Sequence, residues 1–258
     1  MPPIADLATF ACRLADAARA ETMSRWRDAG RAENKDAGGG YDPVTQADVA
    51  AERAMRAIIV ETYPEHGIAG EELDDRPSTS GLVWSLDPID GTRSFVCGLP
   101  TWVTLIALLR DGGPVIGLID APRLDERYLG FGGSARQLPG ERPLSTSGCP
   151  DIADARLSST DPGLFAGGQS EAFHRLRARC RVVRYGHDGY AYARLAAGSV
   201  DVVVEAGLKP YDLMALIPVV QGAGGVVGNW EGGGDVSDGR VVAAATTELY
   251  EQAVALLA

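Results

Sequence analysis

Residues 83–95 read VWSLDPIDGTRSF. The apolar run from Val83 to Leu86 ends at Asp87, and Asp90 follows across Pro88 and Ile89. Pro88 fixes its own φ and lacks an N–H, so this turn is stiff. The run reads as a buried strand, and Asp87 is expected to emerge from a core. A carboxylate there needs pairing, hydrogen bonds or a metal. Two carboxylates held close repel each other, which raises one pKa or demands a counter-ion. Arg93 is the basic residue within reach of sequence. His66, His174 and His187 show no zinc-type spacing. An oxygen-rich ligand set without His or Cys suits a hard cation, Mg²⁺ above all. If a helix starts at Gly91-Thr92-Arg93-Ser94, its free N–H groups can hold an anion. Phosphate beside cation-binding carboxylates points to a hydrolytic phosphatase, in which the metal polarises the phosphate and acidifies a bound water.

Working outward, other acidic residues stand at element ends. Asp48 follows Thr45, Glu71-Glu72 follow Gly70, and Asp212 follows Lys209-Pro210-Tyr211. Each also has a structural explanation. Thr45-x-x-Asp48 resembles a capping box, and Asp212 could cap a helix. Glu72 could be solvated surface, and Asp90-Gly91 is an ordinary turn pair.

The periodicities frame these positions. Ile4, Leu7, Ala8, Ala11, Leu14, Ala15 and Ala18 recur at helical spacing, predicting a helix over 4–27. Gly38-Gly39-Gly40 breaks the chain. A second helix opens at Thr45, with Ala51, Met55, Ile58 and Ile59 on one face, and closes at Pro64. Residues 101–109 and 114–120 read as strands joined by a hairpin, and 126–131 as a further strand. Residues 137–150 are rich in Pro, Gly and Ser, and a boundary there divides a lobe over 1–140, α+β and carrying most of the candidate ligands, from a lobe over 141–258 that carries Asp212. The second lobe alternates: helix 189–197, strand 200–205, helix 212–221, strands 225–227 and 240–245, helix 248–257. That rhythm indicates a layered α/β arrangement.

The chain has 258 residues, 45% hydrophobic and 23% charged, enough for a large core without disulfides. Its net charge of −11 argues against a nucleic-acid partner, which needs a basic face. The four cysteines form no Cys-x-x-Cys motif, which fits a reducing compartment. The stretch MPPIADLATFACRLADAARAE has no basic leader before an apolar core, and no run of about 18 apolar residues occurs. A cytoplasmic protein with no membrane partner is expected.

WSLDPIDGTRSF resembles the metal-binding signature of the inositol monophosphatase superfamily. Gly70-Glu71-Glu72 resembles its upstream GEE element, and Asp42 to Asp48, DPVTQAD, its DxVTxAD stretch. Lys35 stands where these enzymes carry a lysine. Tyr211-Asp212, followed by Gly222-Ala223-Gly224-Gly225, resembles the second signature. The resemblance runs in order from about 35 to 230. It implies a layered αβαβα sandwich of the inositol monophosphatase/fructose-1,6-bisphosphatase type, mixed α+β and α/β, with the site between the lobes. Glu71, Asp87 and the Ile89 carbonyl would bind a first Mg²⁺, and Asp87, Asp90 and Asp212 a second. A third, weaker ion would share Glu71, making it catalytic as well. Gly91 and Thr92 would cradle the phosphate through backbone N–H groups, with Arg93 beside them. Asp48 would orient Thr92, and that dyad would position or deprotonate the attacking water near Lys35. Such enzymes commonly form homodimers.

The usual signature has Trp where this chain has Tyr211. With DPIDGTRSF and YGHDGYAY (185–192), this resembles the histidinol-phosphatase branch, which implies histidinol phosphate as substrate. Asp188 and Glu205 are the acidic residues expected at the substrate mouth, although Asp188 could instead cap a helix and Glu205 merely end a strand. The same chemistry on inositol monophosphate or another small sugar phosphate is the alternative. A non-catalytic cation-binding module is the rival from another class, and it would leave Lys35 and Thr92 without a purpose.

Overall fold

The computed structural model describes residues 2–26, 33–34 and 43–258. Helix α1 (Ile4–Arg25) is followed by a short antiparallel pair, β1 (Glu33–Asn34) and β2 (Pro43–Val44). Helix α2 (Gln46–Thr62) begins at Thr45, whose side chain accepts the Ala47 N–H while Asp48 accepts the Thr45 N–H. The expected capping box is therefore formed. The Gly38-Gly39-Gly40 breaker lies outside the described residues.

Next come β3 (Gly67–Gly70), β4 (Leu82–Asp90), α3 (Thr92–Val96), β5 (Val103–Arg110), β6 (Gly113–Ala121), β7 (Glu126–Phe131), β8 (Ser134–Leu138) and β9 (Arg142–Pro143). Strands β3 to β9 form one seven-stranded sheet in chain order. Pairing is antiparallel except between β3 and β4. Then follow β10 (Arg156–Ser159), α4 (Gly168–Arg177), β11 (Val182–Tyr185), α5 (Tyr190–Ala196), β12 (Val202–Glu205), α6 (Pro210–Leu213), α7 (Leu216–Gly222), β13 (Val226–Gly228), β14 (Val241–Ala244) and α8 (Thr247–Leu257). Their strands form a five-stranded mixed sheet, ordered β11-β10-β12-β14-β13.

The layers follow from the period-2 alternation of strands buried on both faces. In β5, Ile106 and Leu108 face Leu7, Leu14 and Met55 of α1 and α2. Val103, Leu105 and Ala107 face Tyr192, Val219 and Val220 of α5 and α7. Those helices also cover Val203 and Ala243 of the second sheet, whose alternate residues Val202, Val204 and Val242 meet Phe173 and Leu249 of α4 and α8. The order is helices, sheet, helices, sheet, helices: the expected αβαβα sandwich. Asp120 is fully buried and held by Arg127 at 2.7 Å and Arg19 at 2.9 Å, fastening α1 to β6 and β7.

Three expectations change. Strand β4 does not stop at Asp87 but runs to Asp90, with an irregular register between the two aspartates. Pro88 has no N–H for the ladder, and its carbonyl instead accepts the Thr104 hydroxyl at 2.8 Å. The helix expected over 212–221 is two helices, α6 and α7. Pro218 removes a bond to the Met214 carbonyl and crowds it, which breaks the helix there. Strands β10 and β11 and helix α4 were not anticipated. No described helix is long and apolar enough to cross a membrane.

Candidate active site

Asp87 and Asp90 sit at the end of β4, and Asp212 sits in the first turn of α6. One carboxylate oxygen from each lies within 4.8 Å of the others, with Asp87 buried and the other two half-buried. The chain holds each in place. The Gly189 N–H donates to Asp90, and the Lys209 N–H donates to Asp212 at 2.6 Å. Gly189 is required by contact, since a Cβ there would stand 2.5 Å from Asp90 Oδ2. Beneath the turn, Ile89, Phe95, Trp102 and Ala47 form a buried apolar floor.

The electrostatics are adverse without a cation. Burial, then the charges of Glu71, Asp90 and Asp212, push the Asp87 carboxyl well above the usual range, and its side chain shares a hydrogen bond with Glu71. Burial, then Asp188 and Asp212, do the same to Asp90. Asp87 Oδ1 is buried without a hydrogen-bond partner. An all-oxygen set with mutual repulsion and an orphaned buried oxygen fits a hard divalent cation such as Mg²⁺.

Gly91 adopts φ +84°, a left-handed conformation suited to glycine, and a Cβ would meet Asp188 Oδ2 at 2.8 Å. Helix α3 starts at Thr92 immediately after it, as expected. Arg93 is exposed at this helix start. The Thr92 hydroxyl donates to the Ile89 carbonyl at 3.0 Å. The resemblance to the family gives that carbonyl to a metal, and a carbonyl oxygen carries two lone pairs.

The expected hydrogen bond between Asp48 and Thr92 is not formed. Asp48 Oδ2 accepts the Thr45 N–H at 2.8 Å and hydroxyl at 2.6 Å, while Oδ1 is buried without a partner. The Thr92 hydroxyl turns instead to a carbonyl within its own turn. Burial pushes Asp48 up to about 6, against the lowering effect of its bonds from Thr45. Lys35 lies outside the described residues.

A cavity of about 150 Å³ opens beside Asp90 and Asp212. Asp188 and Glu205 both line it. Asp188 does not cap α5, which has no side-chain cap; it accepts a long bond from the Ser94 hydroxyl at 3.4 Å. Glu205 ends β12 but is only 1% exposed. Its Oε1 accepts the Thr160 N–H at 2.8 Å and hydroxyl at 3.0 Å, while Oε2 has no partner. Burial pushes Glu205 up to about 8. Leu164, Leu208 and Leu216 form the apolar part of the wall.

Several of these residues were not legible beforehand. Thr160 reads as turn sequence before Asp161-Pro162, and nothing local signals that it holds Glu205. Gly189 stands within YGHDGYAY, but its contact with Asp90 spans 99 residues of chain.

The profile of the inositol monophosphatase family matches residues 4–258. The bifunctional phosphatase IMPL2 of Arabidopsis thaliana, a chloroplastic protein, is 46% identical over 82% of this chain, and the match spans 64% of its own length. The histidinol-phosphatase of Mycobacterium tuberculosis is 36% identical, covering 89% of this chain and 90% of its own. A solved inositol monophosphatase from Zymomonas mobilis superposes with a TM-score of 0.86 at 39% identity, covering 100% of this chain and 99% of the other.

Proposed function

The chain belongs to the inositol monophosphatase family and is a phosphoric monoester hydrolase, and on that premise we propose that it is a Mg²⁺-dependent histidinol-phosphate phosphatase. One observation carries the choice of substrate. The cavity beside the aspartates pairs Glu205, buried with an unpartnered oxygen, with a wall of three leucines. Histidinol phosphate offers an amine and an imidazole, both able to carry positive charge near neutral pH. An imidazole ring combines N–H donors for a carboxylate with flat apolar faces for leucine. A polyol offers hydroxyls in all directions and gains less from that wall.

Asp87, Asp90, Asp212, Glu71 and the Ile89 carbonyl are the groups that would hold Mg²⁺. Bound there, it would supply Lewis-acid polarisation of the phosphate and acidify water. The chain's own groups do the rest. The Gly91 and Thr92 N–H groups, with Arg93 beside them, hold phosphate oxygens. Thr92 positions the attacking water through its hydroxyl. Asp48 is the proton acceptor, supported by an unpartnered oxygen and a pKa of about 6, close to the working range of a general base. Asp188 and Glu205 receive the cationic end of the leaving group.

Inositol monophosphate is the second reading, favoured by the Zymomonas mobilis structure that covers the whole chain. The two separate in a phosphate-release screen with Mg²⁺. Histidinol phosphate should show the higher kcat/KM; a preference for inositol monophosphate overturns the substrate and leaves the metal chemistry standing.

A further inference from the structure

Helix α2 carries a second buried acid, Glu52, one helical turn beyond Asp48 and fully buried. A charge so placed is costly unless it is paired and hydrogen-bonded. Glu52 is both. Its Oε1 accepts Arg56 Nε at 2.7 Å, and its Oε2 accepts the backbone N–H of Glu72 at 2.8 Å. Arg56 reaches onward, donating to the Leu73 and Asp74 carbonyls at 2.9 Å each. The pair therefore grips the peptide chain at three successive residues, 72 to 74. At Gly70 the fit is so close that a Cβ would lie 2.0 Å from Glu52 Oε1. Glu71 stands between these holds, with its own N–H bonded to the Leu86 carbonyl at 3.2 Å. Its side chain shares a hydrogen bond with Asp87.

We propose that Glu52 and Arg56 are positioning residues for the cation site: a buried acid and a guanidinium fork that hold the 70–74 loop so that Glu71 meets Asp87. The inference rests on the reading of Glu71 as a cation ligand. The loop joining β3 to β4 is anchored further along by the paired N–H and carbonyl groups of Ile68 and Arg76, and just before its metal-facing stretch by the Glu71 N–H; Glu52 and Arg56 hold the residues immediately after Glu71. Fixing both sides of a ligand removes conformations that cannot bind, so the loss on releasing it falls on affinity for the ion. Partners that orient ligands typically change metal affinity by about 10–100-fold when removed.

The test is calorimetric titration of the full chain with Mg²⁺ alone, together with turnover as a function of Mg²⁺ concentration. Arg56→Lys keeps a charge for Glu52 but loses the fork that reaches the Leu73 and Asp74 carbonyls. It should weaken the Mg²⁺ Kd by about tenfold and shift the half-saturating concentration equally. With Mg²⁺ saturating, kcat and the substrate KM should stay near wild type. Glu52→Gln, which offers one acceptor where two donors point, should weaken binding at least as much. Ile59→Val, buried on the same helix, serves as the control for stability alone: Tm should fall while the Mg²⁺ titration stays put. Glu71→Gln tests the underlying reading. Unchanged Mg²⁺ affinity in Glu71→Gln removes the premise. Weakened affinity in Glu71→Gln with wild-type affinity in Arg56→Lys overturns the positioning role, as does an Arg56→Lys profile matching Ile59→Val.

Discussion

The backbone N–H of Gly189 donates to the carboxylate of Asp90, joining the start of α5 to the end of β4 across 99 residues of chain. No side chain could intervene, because the glycine's missing Cβ is the space the carboxylate occupies. Gly189→Ala should therefore displace Asp90 rather than distort the backbone of Gly189, whose φ of −61° any residue accepts. Turnover should fall by about 10²-fold, the scale of a small misplacement at a reacting centre. Circular dichroism should be unchanged. Turnover within twofold of wild type would show that Asp90 tolerates the shift.

Asp90→Asn keeps an oxygen for the Gly189 N–H and removes one charge from the repelling group. Without metal, its Tm should rise above wild type, because burial and like charges disfavour the carboxylate. With Mg²⁺, the order should reverse, since a cation stabilises the state it binds in proportion to its affinity. Most turnover should be lost. An Asn variant that gains as much Tm from Mg²⁺ as wild type contradicts a ligand role.

The dyad reading of Asp48 and Thr92 meets its sharpest test in a double-mutant cycle. Thr92→Ala and Asp48→Asn should each lower turnover by about 10²-fold. Combined, the losses should be less than additive, because the two groups, though not bonded to each other, act on the same attacking water. Asp48 also caps α2, so its variant should lose some Tm through the Thr45 bonds. A Tm loss with unchanged rate leaves Asp48 as a cap only.

Glu205 should discriminate substrates. Truncating one partner of a buried charge pair costs about 2–5 kcal/mol, and about 1.4 kcal/mol is tenfold. Glu205→Gln should lower kcat/KM for histidinol phosphate by about tenfold or more and barely alter a phosphate ester with a small neutral leaving group. Equal losses on both would place Glu205 in support of the site rather than in reading the substrate.

The same residue sets a pH dependence in the metal-free protein. Its folded pKa of about 8 lies above the ordinary glutamate value of 4.5, so the folded state holds a proton that the unfolded state has released. Stability therefore falls as pH rises from about 4.5 to about 8, by at most about 1.4 kcal/mol per pH unit, and levels off above. In chelator, Glu205→Gln should lose that slope, and its Tm advantage should grow between pH 5 and pH 8. A constant difference across that range would mean the carboxyl titrates normally.

What the sequence disclosed depends on how far apart the partners lie. Asp87, Pro88 and Asp90 could be read together because they are neighbours, and the capping box at Thr45 because it spans one turn. The double burial of β5 shows in the apolar run from Leu105 to Leu109. Strand β10, RLSS, carries two serines in buried sheet, and β11, VVRY, is a half-exposed edge strand; neither shows a clean apolar–polar alternation in sequence. The break between α6 and α7 was available in Pro218 but hidden by apolar residues at helical spacing. Thr160 holding Glu205, and Gly189 holding Asp90, exist only after two distant segments meet. The Thr92 hydroxyl chose a carbonyl within its own turn, a competition between nearby acceptors that residue types do not rank.

Asp120 and the aspartates at the end of β4 are two answers to one problem, an acid inside a protein. Asp120 is balanced by guanidinium groups from Arg19 and Arg127, whereas among the described residues none of the ion pairs reaches Asp87 or Asp90. The first arrangement is finished when the chain folds; the second waits for a cation from outside. An inert relative is thus a short evolutionary step away. An arginine or lysine reaching these aspartates from the chain would quench the repulsion and, by the same act, take the place where an imported ion works. At this point in the fold durability and turnover are opposed, and selection for either alone would erase the other.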